Sequence, residues 1–351
     1  MSGFDGHNVR FAGIAAAVPQ QSEDNAELTS LSEKSKNEII NQVGIRYRHV
    51  APTGVTAADL CEASAKPLLN ELGWDPLEVG ILVFVSQTPD HIVPGTATQL
   101  QNKIGLPQNS ICLDLNQGCA GYVYGMSVIV GMMNSFGIQK GLMLVGDTIT
   151  KMVSENDNSI YPIFADAGSA TAFELDENAP RMVFGIGSRG ADFEAIHVPY
   201  GGFRNPTSEE SLRPQEVSEG VHRNLNQLAM NGQAVFTFGL STVASEIGKL
   251  LKETQMDSAD IDYLVLHQAN QFLNDTIARK VGFPKQKTPS SLHDYGNTSC
   301  ATVPVTMVSE LSHQLRTKHL KLMLSGFGVG LSWGNVILET DKVACLPIIE
   351  V

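Results

Sequence analysis

The sequence predicts an α/β protein made of two related halves, each with mostly parallel strands. Three observations carry this. Strands rich in β-branched and aliphatic residues alternate with amphipathic helices along the whole chain. A strand–helix–Gly-x-Pro pattern recurs about 180 residues apart, which marks a domain duplication and not a solenoid. Finally, 42 % of the 351 residues are apolar and only 17 % are charged, which calls for a large interior and about two domain-sized units.

The elements follow in order. Phe11 to Val18 is an apolar run ending at Pro19, read as a first buried strand, with a signal peptide as the alternative. Ala57 to Leu72 is a long helix. An acidic turn at Asp75 then leads to a strand ending near Val85, an amphipathic helix and the stop Gly105-Leu106-Pro107. The strand Ser110 to Leu115 runs into the small-residue turn Gly118-Cys119-Ala120-Gly121. The second half repeats this: a helix from Ala234 to Glu253, a turn at Asp257, the strand Tyr263 to Leu266, a helix, and Gly282-Phe283-Pro284. The turn Gly296-Asn297-Thr298-Ser299 then matches the one at Cys119. The polar stretch Glu174 to Arg181 divides residues 1–178 from residues 179–351. Gly201 to Asn224 is polar and Pro-bearing, either a binding loop or a plain surface insertion.

Composition excludes several functions. A net charge of −13 argues against nucleic acid and anionic membranes, while leaving room for a local basic patch facing an acidic carrier. Five cysteines without a CxxC form neither a disulfide framework nor a zinc site, and fit a reducing cytoplasm. Ala120 to Gly137 approaches membrane-spanning length, but its Ser127, Asn134, Ser135 and glycines fit a helix in the middle of a soluble protein. No membrane association is expected.

Three residues at strand ends could do chemistry. Cys119 opens an apolar helix, where free N–H groups and the dipole lower a thiol pKa. It reads as a nucleophile or as a small core residue. His267 ends the strand Tyr263 to Leu266, where α/β sheets place ligands, although a structural histidine fits as well. Asn297 sits in a Gly-Asn turn, which also has purely conformational reasons to exist. The duplication brings these strand ends together at a pseudo-twofold axis. Gly326-x-Gly328-x-Gly330 lacks dinucleotide-loop spacing and precedes a strand, so it suits a close backbone approach to a reacting group.

The chain resembles the thiolase-like condensing enzymes, and most closely the β-ketoacyl-acyl-carrier-protein synthase III family. The resemblance runs in order through Gly44-Ile45-Arg46, Asp114 to Tyr122, Phe164 to Gly168, His267-Gln268-Ala269-Asn270, Gly296 to Ser299 and Gly328 to Gly334. It implies a layered α-β-α-β-α fold with two mixed, mostly parallel sheets, and a cytoplasmic homodimer. It further implies that Cys119 takes an acyl group from a carrier-protein or coenzyme A thioester. His267 and Asn297 would donate to the carbonyl of a malonyl thioester as it loses carbon dioxide. The Cys119 and Gly330 N–H groups would form the oxyanion hole. No cofactor or metal is implied, because carbon dioxide loss drives the condensation.

Departures from the family concern recognition. The aromatic and guanidinium that sandwich the coenzyme A adenine correspond to Glu38 and Asn158, and a nearby arginine to Gln42. A basic carrier-docking residue corresponds to Phe272, leaving Arg279 and Lys280 on the same helix to meet the carrier. Val93 stands where the family has a large aromatic in the acyl pocket. A specialised condensing enzyme is therefore expected. Acyl transfer to an oxygen or nitrogen acceptor, and a non-catalytic subunit paired with an active paralogue, are the alternatives.

Overall fold

The structure, a computed structural model, describes residues 3–351. Two mixed β-sheets form its frame. In the seven-stranded sheet the order is Ala344–Cys345, Val9–Val18, Ala167–Leu175, Lys140–Asp147, Ile81–Val85 and Ile111–Leu115, with Ile349–Glu350 also on Val9–Val18. The five-stranded sheet runs Phe4–Gly6, Met182–Ser188, Ser332–Asp341, His319–Gly328, Tyr263–Leu266.

Ile81–Val85 is parallel to both its neighbours, as the strand–helix–strand pattern requires. The second sheet departs from the expectation of mostly parallel pairing. Only Tyr263–Leu266 and His319–Gly328 are parallel there, and the other three pairings are antiparallel. The reason is local. His319–Gly328 turns straight back into Ser332–Asp341, and a connection that short joins only antiparallel strands.

Two 16-residue helices, Gly121–Phe136 and Thr302–Thr317, lie between the sheets in the main core. Gly121 and Gly125 let the first lie close on its strand, since a Cβ at either would meet Val85 at 2.7 Å. The apolar stretch Ala120 to Gly137 is thus an interior helix. Ala57–Leu72 and Thr96–Ile104 cover the outer face of the first sheet. The 232–253 and Gln271–Lys280 helices cover the outer face of the second, completing the α-β-α-β-α layers. Among the described residues, 232–253 is the one helix long and apolar enough to cross a membrane by length and composition. Its Ile247, Leu250 and Leu251 pack into the core on that side.

The termini cross between sheets. Phe4–Gly6 pairs with Met182–Phe184, while Ala344–Cys345 and Ile349–Glu350 pair with Val9–Val18. The 201–224 excursion carries a short hairpin, Gln215–Ser218 with Val221–Arg223. Arg223 holds it by donating to the buried Asp157 at 2.9 Å.

Candidate active site

Cys119 lies in the turn between Ile111–Leu115 and Gly121–Phe136, closed by Gly121 N–H donating to Gly118 O at 2.6 Å. Its residue is only 6 % exposed. The polar groups around its sulfur are the Val329 and Cys119 backbone amides and the Ser299 side chain. Those groups favour the thiolate, but burial outweighs them and pushes the thiol up to about 11, with the nearby Asp147 adding to the rise. The expected lowering of the Cys119 pKa is therefore not what the resting site has. The residue sits ahead of the helix cap Ala120, in a buried turn.

His267 follows its strand and is fixed by its N–H donating to Ser325 O at 2.7 Å. Its Nδ1 lies 2.7 Å from Thr302 Oγ1, and Phe327 packs edge-on with ring centroids 5.4 Å apart. Burial lowers its pKa to about 3, so the ring is neutral at rest. Asn297 is held by a bridge to Phe164. Its N–H donates to Ile163 O at 3.0 Å, and Ala165 N–H donates to its carbonyl at 2.9 Å. Its Oδ1 accepts the Ser299 N–H at 3.0 Å, which leaves the Nδ2 end as the donor.

Cys119, His267 and Asn297 line one cavity of about 420 Å³, together with Ser299, Phe327, Gly328 and Val329. Its outer walls are mostly apolar and include Ile149, Met152, Leu228 and Phe236. Val329 also lines the cavity. Gly330, expected to share the oxyanion hole with Cys119, does not line it. The strand turns at Gly328 (φ +152°), next to Val329.

Several expected contact residues lie elsewhere. Val93 is 80 % exposed and lines no part of this cavity, because its loop projects outward with the equally apolar Ile92. Arg279 and Lys280 end a helix whose cap, Asn270, lines the cavity. Six to seven residues of helix separate them from Leu273, which also lines the cavity, or about 10 Å along the axis. Phe272, 58 % exposed, stacks on Phe236 nearer the mouth. Glu38 and Gln42 are exposed. Asn158 donates through Nδ2 to Ser30 O at 3.0 Å and through its N–H to Gly220 O at 3.1 Å.

Sequence reasoning missed a supporting shell. Arg48 is fully buried and donates to Tyr161 O at 3.0 Å and Phe164 O at 2.9 Å, which anchors the segment bridged to Asn297. Its place two residues beyond Gly44-Ile45-Arg46 was the available signal. Asp147, also buried, accepts from Gln87 N–H at 2.7 Å and Cys300 Sγ at 3.2 Å.

Comparison with known proteins agrees with this architecture. Residues 113–190 match the family described as 3-oxoacyl-[acyl-carrier-protein] synthase III, and residues 251–340 match its C-terminal part. The chain is 32 % identical over 332 residues to the β-ketoacyl-[acyl-carrier-protein] synthase III of Streptococcus pneumoniae serotype 19F, covering 94 % of this chain and 98 % of that one. It superposes on a 3-oxoacyl-(acyl-carrier protein) synthase from Burkholderia xenovorans with a TM-score of 0.93 at 32 % identity over 99 % of both chains. A second crystal structure, of a 3-oxoacyl-(acyl-carrier-protein) synthase III, gives a TM-score of 0.89 at 33 % identity over 94 % of this chain and 99 % of that one. The chain belongs to the β-ketoacyl-acyl-carrier-protein synthase III family, thiolase-like acyltransferases that join an acyl thioester to a malonyl thioester with loss of carbon dioxide.

Proposed function

We propose that Cys119 carries the acyl group and that His267 and Asn297 serve the malonyl half of the reaction. The observation that carries this is the shared cavity, with one Val329 N–H already on the Cys119 sulfur. The acyl carbonyl then has the Cys119 and Val329 amides as its oxyanion donors. Asn297 Nδ2 donates to the extender carbonyl as decarboxylation builds an enolate, whose carbon attacks the acyl-Cys119.

The donor is a carrier-bound acyl group in a specialised pathway. Asn158 is already bonded to Ser30 and to Gly220 of the hairpin turn, and Glu38 adds negative charge, so neither offers a stacking face to a nucleotide. Arg279 and Lys280 supply the basic edge of the carrier face. The working unit is a homodimer. Ile111–Leu115 is an apolar strand at an open sheet edge, and Ile92 and Val93 stand exposed on the loop beside it. All five cysteines are unpaired, as suits a cytoplasmic protein.

The test is intact-mass spectrometry after incubation with one acyl chain on coenzyme A and on carrier protein, followed by carbon dioxide release on adding a malonyl thioester. An acyl adduct on Cys119, formed faster from the carrier, and carbon dioxide release are expected. An adduct without carbon dioxide release, in the presence of an alcohol or amine acceptor that becomes acylated, would replace condensation by simple acyl transfer.

A further inference from the structure

Most of the cavity wall is apolar, but two carboxamides, Gln87 and Asn116, line it just beyond the neighbouring parallel strands Ile81–Val85 and Ile111–Leu115. Gln87 is fixed by the fully buried Asp147. One carboxylate oxygen there accepts the Gln87 N–H at 2.7 Å and the Ser86 and Thr88 hydroxyls at 3.0 and 3.2 Å. The Gln87 side chain has room because residue 118 is glycine. A Cβ there would collide with Gln87 Oε1 and meet Val329 Cβ at 3.1 Å. Gly118 is not among the glycines with positive φ, so what it supplies, one residue before Cys119, is space.

Gln87 Nε2 donates to Asn116 Oδ1 at 3.4 Å. That leaves the Gln87 carbonyl oxygen and the Asn116 Nδ2 group without a hydrogen-bond partner among the described residues. Turning both amides over exchanges the two ends, and still leaves one carbonyl oxygen and free N–H groups. Gln87 is half-buried and Asn116 exposed, so the chain itself leaves the pair uncovered. A hydroxyl, which both donates and accepts, satisfies it. A plain hydrocarbon chain would set both amide ends against carbon, and a carboxylate would bring a second negative charge beside Asp147.

We propose that the acyl group taken by Cys119 carries a hydroxyl held between Gln87 and Asn116, so that the chain selects short hydroxyacyl thioesters. This rests on the reading of Cys119 as the acylated residue and deepens it by naming the acyl class. In the first step the C–S bond to the carrier thiol breaks, the C–S bond to Cys119 forms, and the Cys119 proton ends on the released thiol. The hydroxyl is untouched. With a 3-hydroxyacyl donor, condensation with a malonyl thioester and loss of carbon dioxide gives a 5-hydroxy-3-oxoacyl thioester.

The probes are the N-acetylcysteamine thioesters of butyrate and of both enantiomers of 3-hydroxybutyrate, which need no carrier contact. Intact mass follows acylation of the full-length chain and of its Gln87→Leu and Asn116→Ala variants. One hydroxylated enantiomer should acylate wild type about 10-fold faster than butyryl does, the scale of one or two net hydrogen bonds. That ratio should fall to about 2-fold or less in Gln87→Leu and to about 3-fold in Asn116→Ala. It is read within each variant, so a general loss of activity cancels. Asn116 is exposed, so its variant keeps the test decisive if Gln87→Leu does not fold. Butyryl reacting as fast as either enantiomer in wild type, or a preference unchanged in every variant that folds, would overturn the proposal. Binding is read apart from chemistry in Cys119→Ala, by the rise in melting temperature that each thioester gives. A larger rise with the hydroxylated ester but no adduct on wild-type Cys119 would refute the Cys119 reading and leave the hydroxyl site standing. An adduct on Cys119 without the preference would do the reverse.

Discussion

A Cβ on Gly328 would sit 2.6 Å from the Cys119 sulfur, at a φ of +152° that side chains avoid. Glycine there is what lets the backbone press the Val329 amide against the thiol. Gly328→Ala should cut Cys119 acylation about 10²-fold, the cost of displacing reacting atoms by about 1 Å, while the far-UV circular dichroism stays unchanged. Asn297→Ala removes a donor where enolate charge develops. It should slow malonyl decarboxylation about 10² to 10³-fold and acylation much less, which carbon dioxide release and intact mass would separate. Asp147 places negative charge behind the thiol and helps hold it up at about 11. Asp147→Asn should bring the Cys119 pKa down. The pH–rate curve for iodoacetamide labelling would then move to lower pH, and labelling at pH 8 would rise several-fold. An unmoved curve would mean that burial alone sets the value.

Among the elements, helix Gln271–Lys280 spans the distance between the cavity and the basic edge. Its first turn contributes Asn270 and Leu273 to the cavity, and its last turn carries Arg279 and Lys280 in solvent. Reversing both charges to Glu should raise the KM for a carrier-bound acyl group and leave a short thioester mimic unaffected, since the mimic never reaches that end. The start of helix Thr96–Ile104 shows how one element serves another. Its cap Gly95 has no side chain, so Asp114 on the neighbouring strand accepts the Thr96 and Ala97 N–H groups at 2.6 and 2.7 Å. Asp114 was legible in the sequence as part of a motif, but its capping role was not, because strand and helix start lie 18 residues apart.

For the whole molecule, oligomeric state and pH response can both be checked. Ile92→Asp with Val93→Asp alters side chains that are 78 % and 80 % exposed in the single chain, so the protomer should fold normally. Sedimentation velocity should show a dimer for wild type and weakened association for the pair. The buried Asp166 is raised by burial to about 6 from an ordinary 3.8, despite accepting from Thr150 and Ala51. Its folded form binds a proton more tightly than the unfolded chain does. The stability it contributes is therefore fully present below about pH 4 and is lost as pH rises through about 6. Asp166→Asn should flatten that part of the stability–pH curve in urea titrations.

Local pattern by itself determined much of this protein. Helix Ala57–Leu72 was legible to the residue because its stops are chemical: a Thr56–Asp59 capping box at one end and a left-handed Gly73 at the other. The strand–helix successions Ile81–Val85 to Thr96–Ile104 and Tyr263–Leu266 to Gln271–Lys280 were legible because strand and helix periods differ. So was the placement of Cys119 and His267 after strands, whereas Asn297, expected after a strand as well, follows the short helix Leu292–Tyr295. Only the tertiary structure decided the rest. The exchange of terminal strands joins Phe4–Gly6 to Met182–Phe184, a pairing with no local signal. That Val329 and not Gly330 lines the cavity follows from the backbone turn at Gly328. The ionisation of Cys119 depends on burial by segments more than a hundred residues away, which overrides the helix-end effect visible in sequence.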